Sequence, residues 1–165
     1  MHRASILVLA AALAACGPVV VKATPPPLAQ AQTASADSTS AKAFAASLYA
    51  GKKNFLDDRA AVWDASMLAV LARGDKEQVE NDGLIFDFDP LCQCQDDTGM
   101  VAAAGEATIT GPDAASVPIA LTFPGATSAL TLKLSRAGGQ WRVHDIATAE
   151  MPSYAAHLEM LIAGE

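Results

Sequence analysis

Aromatic side chains, basic charge and long apolar runs are all scarce in this chain. Only 5% of its 165 residues are aromatic, so its interior must rest on aliphatic side chains and alanine. That length supports one modest core. The longest apolar run, ILVLAAALAA at residues 6–15, is too short to span a bilayer as a helix. With 11 Lys and Arg against 18 Asp and Glu, the formal charge is −7. An acidic surface repels phosphate backbones and anionic headgroups, which argues against nucleic acid and against electrostatic membrane binding. No G-x-S-x-G nucleophile elbow, cofactor motif or internal repeat occurs, and no cofactor is expected.

What is present is most specific at the amino terminus. Met1-His2-Arg3 is a short basic segment, residues 6–15 are its apolar continuation, and Leu13-Ala14-Ala15-Cys16-Gly17 follows. The three parts in register resemble a bacterial lipoprotein signal peptide with its lipobox. The expectation is removal of residues 1–15 and acylation (palmitate included) of Cys16. More than one chain makes a stable anchor, since each buried CH₂ contributes on the order of 0.8 kcal/mol. In lipoproteins an Asp after the cysteine signals inner-membrane retention; here Gly17 stands there. The expected place is therefore the outer membrane, with the domain facing the periplasm.

Residues 16–39 are rich in Pro, Ala, Gln, Ser and Thr and show no amphipathic period, so they read as the acylated cysteine and a flexible tether. The domain is expected over residues 40–165. Ala41, Phe44 and Leu48 share one helical face, with Gly51 as a stop. Leu56, Ala60, Trp63, Met67, Val70 and Leu71 predict one continuous second helix over residues 56–79, with Asp57 and Asp58 in its first turn. After Asn81-Asp82-Gly83 the pattern turns to strands: residues 102–110, then the alternations Val117, Ile119, Leu121, Phe123 and Leu130, Leu132, Leu134. Gly138-Gly139 predicts a hairpin into a strand with Trp141 and Val143 on one face and Arg142 and His144 on the other. Pro152-Ser153 opens a final short helix carrying Tyr154, Leu158, Leu161 and Ile162 inward. Helices segregated from an antiparallel sheet of three to four strands mean an α+β fold.

Tyr49, Ser66 and Leu68, the loop Asp87, Asp89, Pro90, Gln95, Asp96, and the strand Trp141, Val143, Asp145, Ile146 together resemble a family of bacterial envelope proteins, domain of unknown function 3828. The resemblance spans residues 40–165 and implies a cystatin-like, nuclear-transport-factor-two-like cone. In such a cone, helices pack on a curved antiparallel sheet. The family brings no established activity with it.

The loop DFDPLCQCQD, residues 87–96, concentrates the chemistry. Asp87-x-Asp89 begins like an EF-hand, but Cys92 stands where that loop needs Gly and Thr98 where it needs Glu. No metal site is expected; Asp87, Asp89 and Asp96 are read as carboxylates that fix the turn by accepting from backbone N–H groups. Once Cys16 is acylated, Cys92 and Cys94 are the remaining thiols of an exported chain, and a structural disulfide between them is expected. Thioredoxin-like redox chemistry would need C-x-x-C at a helix start. Reduced, Cys92, Cys94 and Met100 are soft ligands suited to Cu(I).

Two functions follow. The first is a non-catalytic, membrane-tethered domain that binds a small ligand or an envelope protein. The second is a periplasmic enzyme with Asp/His acid–base chemistry in the cone mouth, drawing on Asp89, Asp96, Tyr49, His144 and Asp145. An apolar mouth whose carboxylates cap backbone favours the first; converging titratable groups favour the second.

Overall fold

The computed structural model describes residues 27–50, 55, 58–81 and 84–164. The expected leader, Cys16 and the start of the expected tether lie outside the described residues. The architecture is α+β. Helices α1 (Pro27–Ala50), α2 (Arg59–Val62) and α3 (Ala65–Asn81) precede strands β1 (Val101–Ala104), β2 (Thr108–Gly111), β3 (Ala114–Phe123), β4 (Ala126–Ala137) and β5 (Gln140–Ala147), and α4 (Tyr154–Ala163) closes the chain. The sheet is open and antiparallel in the order β1-β3-β4-β5, with β2 also paired to β3. No helix among the described residues is long and apolar enough to cross a membrane.

One sheet face forms the core floor. Val117, Ile119, Leu121, Leu130, Leu132, Leu134, Trp141, Val143 and Ile146 are buried there; alternation of period two puts all but Ile146 on one side, and a register shift between Val143 and Asp145 returns Ile146 to it. Ala41, Ala45 and Leu48 of α1, Met67, Val70 and Leu71 of α3, and Tyr154 and Leu158 of α4 are buried in the same cluster. Gly138 and Gly139 have φ of 59° and 78°, which the two-residue turn from β4 to β5 requires and glycine accepts without strain. Ser153 caps α4 by accepting from Ala156 N–H at 3.1 Å, as its sequence signal implied.

Three expectations need correction. The tether does not extend to residue 39, because α1 is helical from Pro27. Alanine is the best helix former, and a polar edge fastens this Ala/Ser-rich stretch to the sheet. Ser38 Oγ donates to Ala107 O at 2.9 Å, Asp37 pairs with Arg136, and Trp141 Nε1 donates to Ser40 Oγ at 2.9 Å. Polar fastening leaves no apolar stripe, so periodicity could not reveal it.

The second helix is not continuous. Trp63 is extended, with φ −98° and ψ 150°, and bridges Val143 of β5 in parallel. Asp64 N–H donates to Val143 O at 3.0 Å, and α3 restarts behind it. The break lets Trp63 enter the core, stacked on Tyr154 with ring centroids 6.2 Å apart, while Ala60 is left exposed.

The sheet has five strand segments rather than three or four. β1 and β2, expected as one strand, lie end to end beside β3. Gly105 N–H donates to Pro118 O at 2.8 Å across the gap between them. A strand residue directs its N–H and C=O to the same neighbour, so the donor that Pro118 lacks also faces this gap. A Cβ on Gly105 would stand 2.9 Å from Pro118 Cγ, so the chain can pass the pyrrolidine ring only as glycine.

Candidate functional site

The connection from α3 to β1 folds back on itself. Asp89 N–H donates to Cys94 O at 2.8 Å and Gln93 N–H to Asp89 O at 2.8 Å, so residues 89–94 form a miniature hairpin. Gln93, just before Cys94, has φ 57°, a left-handed conformation uncommon outside glycine. Cys92 and Cys94 are joined as a disulfide whose Cα atoms are 5.2 Å apart. The loop carboxylates and amides fasten the remainder. Asp89 Oδ1 accepts from Leu91 N–H at 2.8 Å, Asp96 Oδ1 accepts from Thr98 N–H at 2.8 Å and Thr98 Oγ1 at 2.6 Å, and Gln95 Nε2 donates to Asp87 O at 3.0 Å. Leu91 is buried, and Tyr49 of α1 donates its hydroxyl to Leu91 O at 2.9 Å.

Between this loop and the end of α1 opens a cleft of about 840 Å³. Its lining among the described residues includes the apolar or aromatic side chains Leu48, Tyr49, Phe55, Phe86, Phe88 and Met100. Gly74 of α3 brings Phe86 close: a Cβ there would meet its ring at 2.7 Å. Asp87, Asp89, Asp96 and Asp97 also line the cleft, and no Lys, Arg or His does so among the described residues. Burial raises the Asp89 carboxyl above its ordinary value; the Leu91 N–H opposes this and the nearby Asp97 adds to it. Burial, then Asp89, raises the Tyr49 hydroxyl in turn.

Compared with protein-family models, curated proteins and solved structures, the chain matches none.

Of the acid–base set considered from the sequence, Tyr49, Asp89 and Asp96 meet at the cleft, whereas His144 and Asp145 are not among its lining residues. Asp145 is nearly buried. Its Oδ2 takes Lys133 Nζ at 2.9 Å, and its Oδ1 accepts Ile146 N–H and Ala155 N–H at 2.9 and 3.1 Å. A register shift after Lys133 makes this contact. Lys133 pairs with Asp145 and Leu134 with Val143, leaving His144 as an extra residue. Burial raises the Asp145 carboxyl, but the Ala155 N–H, Lys133 and Ser153 outweigh it and hold the group low.

His144 belongs to a second cluster that sequence reasoning missed. Asp64 Oδ2 accepts from Ser135 Oγ at 2.7 Å and stands 2.8 Å from His144 Nδ1. Asp64 Oδ1 accepts from Ser66 Oγ at 2.7 Å and from Met67 N–H at 3.0 Å, which caps α3. Ser66 Oγ also lies 3.1 Å from His144 Nδ1. Serine, histidine and aspartate thus meet, but a catalytic relay needs the serine and the aspartate on opposite ring nitrogens. Here both address Nδ1, a geometry that fastens α3 to β5 and activates no nucleophile. Among the described residues, no three His, Cys, Asp or Glu side chains converge as metal ligands. The cap signal of Asp64 ahead of Ser66 and Met67 was available in the sequence; its partners 71 and 80 residues away were not.

Proposed function

We propose that the protein is a lipid-anchored envelope domain that binds a small ligand in the cleft between α1 and the 84–100 connection, without transforming it. The observation that carries this reading is the cleft's construction. Its volume suits a drug-sized molecule, and its lining joins apolar and aromatic side chains to polar ones in about equal share, so it can seat a small ligand with both characters. Asp89 and Asp96 accept from Leu91 and Thr98 of their own loop, and Tyr49 donates to Leu91 O, so these polar groups are engaged in shaping it. Kinship with domain of unknown function 3828, its cone-like curvature, and anchoring through Cys16 at the periplasmic face of the outer membrane belong to the same reading. They rest on the short motifs and on the lipobox.

The enzyme reading has one observation in its favour: the Asp89 carboxyl is raised inside the cleft, as a general acid would be. Against it, the raised Tyr49 hydroxyl stays protonated and is no base, and His144 is committed to Asp64.

The test is binding of a neutral apolar fluorophore, N-phenyl-1-naphthylamine, to the soluble domain. Fluorescence should rise with the native cleft and fall in Met100→Trp, which sets a bulkier ring in its lining. No enhancement, or enhancement that Met100→Trp leaves unchanged, overturns the binding reading. For the anchor, native protein should resist high-salt extraction from membranes and need detergent, and Cys16→Ala should retain its leader; release by salt alone overturns that part.

A further inference from the structure

Resting on the binding reading, we infer that the Cys92–Cys94 disulfide is a redox latch on the cleft: a small thiol opens it from the Cys94 side, and the opened loop holds the ligand less tightly. A bridge over a sequence separation of 2 removes little chain entropy from the unfolded state, so it contributes little to global stability. Its effect is local. Both cysteines line the cleft, and Gln93 between them is held at φ 57°. That region is disfavoured for any residue with a Cβ, so an open chain populates other conformations. Asp89 N–H donates to Cys94 O at 2.8 Å, and Gln95 Nε2 donates to Asp87 O at 3.0 Å. Rotation at Gln93 turns the Cys94 carbonyl away from Asp89 and carries Gln95, Asp96 and Asp97 with it, all of them cleft lining. On the other side of the ring Leu91 is buried, and Tyr49 donates to its carbonyl at 2.9 Å, so that side stays fixed. One part of the lining thus moves against another while the sheet is left alone.

The two sulfurs differ in access. Cys92 is 3% exposed, whereas Cys94 is half-buried. An incoming thiolate therefore attacks Cys94 Sγ. The S–S bond breaks, and its electron pair goes to Cys92 Sγ, which takes up a proton. Asp89 O lies 3.6 Å from Cys92 Sγ, placed to accept from the new S–H. A second thiolate attacks the added sulfur and releases Cys94 as a thiol. The reductant is a thiol: two thiol groups leave joined as a disulfide, and their two electrons and two protons end on Cys92 and Cys94.

The test follows N-phenyl-1-naphthylamine fluorescence and backbone NMR of the folded domain before reduction by dithiothreitol, after it, and after reoxidation by oxidised glutathione. Reduction should weaken the probe at least about fivefold, because the open loop holds the cleft's shape for only a fraction of the time. Reoxidation should restore the affinity. Cys94→Ser should bind as the reduced protein does and ignore dithiothreitol. Amide resonances of residues 92–97 should shift on reduction, while those of β3 and β4 stay in place. Reduction by glutathione, quenched with N-ethylmaleimide, should leave glutathione on Cys94 and the maleimide on Cys92; the reverse overturns the order of attack. Equal or tighter binding after reduction, a dithiothreitol effect that survives in Cys94→Ser, or a sheet that loosens with the loop overturns the latch and leaves the binding reading standing. Absence of probe enhancement in every state overturns both.

Discussion

Asp64 and Asp89 are the same residue type, each partly buried and hydrogen-bonded to a backbone N–H close behind it, yet their carboxyls move in opposite directions. Burial raises both. At Asp64 the Met67 N–H, the Ser135 and Ser66 hydroxyls and His144 overcome that cost and hold the group at about 2. At Asp89 the Leu91 and Cys92 N–H groups do not, and Asp97 pushes the same way as burial. Deeper burial of Asp89, together with donor count and the sign of the neighbours, separates them. Asp64 therefore behaves as a structural anion that joins α3 to the sheet. At Asp89, on the edge of the cleft, burial and Asp97 both disfavour the charged form.

The contrast predicts its own largest break. Asp64→Ala removes the cap of α3 and strands the Ser135 and Ser66 hydroxyls. A lost cap costs about 1 kcal/mol and groups left unpaired add further loss, so a total of about 2–3 kcal/mol is expected in urea denaturation. Asp64→Asn, which can still accept, should lose clearly less. Equal losses in the two variants would mean that charge, rather than hydrogen bonding, holds this cluster.

A pH profile sharpens the same point. The folded pKa of Asp64 lies below its ordinary value of 3.8, so its contribution is present above about pH 4 and is lost as pH falls toward about 2. On the order of 1–2 kcal/mol should disappear over that window in the native protein, after discounting for solvent screening. The loss should be smaller in Asp64→Asn. An identical acid limb in both proteins would assign the acid sensitivity elsewhere.

The sequence was most legible where one period governed a whole element. Val117 to Phe123 by alternate residues, and Leu130 to Leu134 likewise, lie in β3 and β4 with their buried faces as read. Ser153 and the two glycines before Gln140 are chemical signals with one structural meaning each. Legibility failed where tertiary contacts overrode periodicity. Trp63 is on phase for a helix but is drawn into a bridge with Val143, 80 positions away. The polar fastening of α1 through Asp37, Ser38 and Ser40 has no period to read. At the site, Asp89 and Asp96 were legible as carboxylates that fix the loop, and Asp87 contributes its backbone carbonyl, whereas Asp64 with Ser135 was not legible, because proximity between distant segments leaves no local trace.

The cleft loop should tolerate far more than the Asp64 cluster. Cys94→Ser opens a ring closed over a sequence separation of 2, and so small a ring removes little chain entropy from the unfolded state. Global stability should fall by at most about 1 kcal/mol. Amide exchange should speed up at residues 89–94 and stay unchanged in β3 and β4. Matching acceleration in the sheet would show the loop to be integral to the core.

The smallest effect has the opposite sign from the rest, which makes it the sharpest test of the comparison. Asp89→Asn keeps an oxygen for the Leu91 N–H while removing a charge that burial and Asp97 both disfavour. A carboxyl whose folded pKa is raised destabilises the fold once the pH exceeds its unfolded value, because the unfolded chain ionises first. Asp89→Asn should therefore stabilise the protein at neutral pH, by less than any loss above. The gain should fade as pH falls through about 4, where the native carboxyl and its unfolded counterpart are both protonated. A loss of stability at neutral pH would mean that Asp89 is a second Asp64, and that the two regions do not differ in kind.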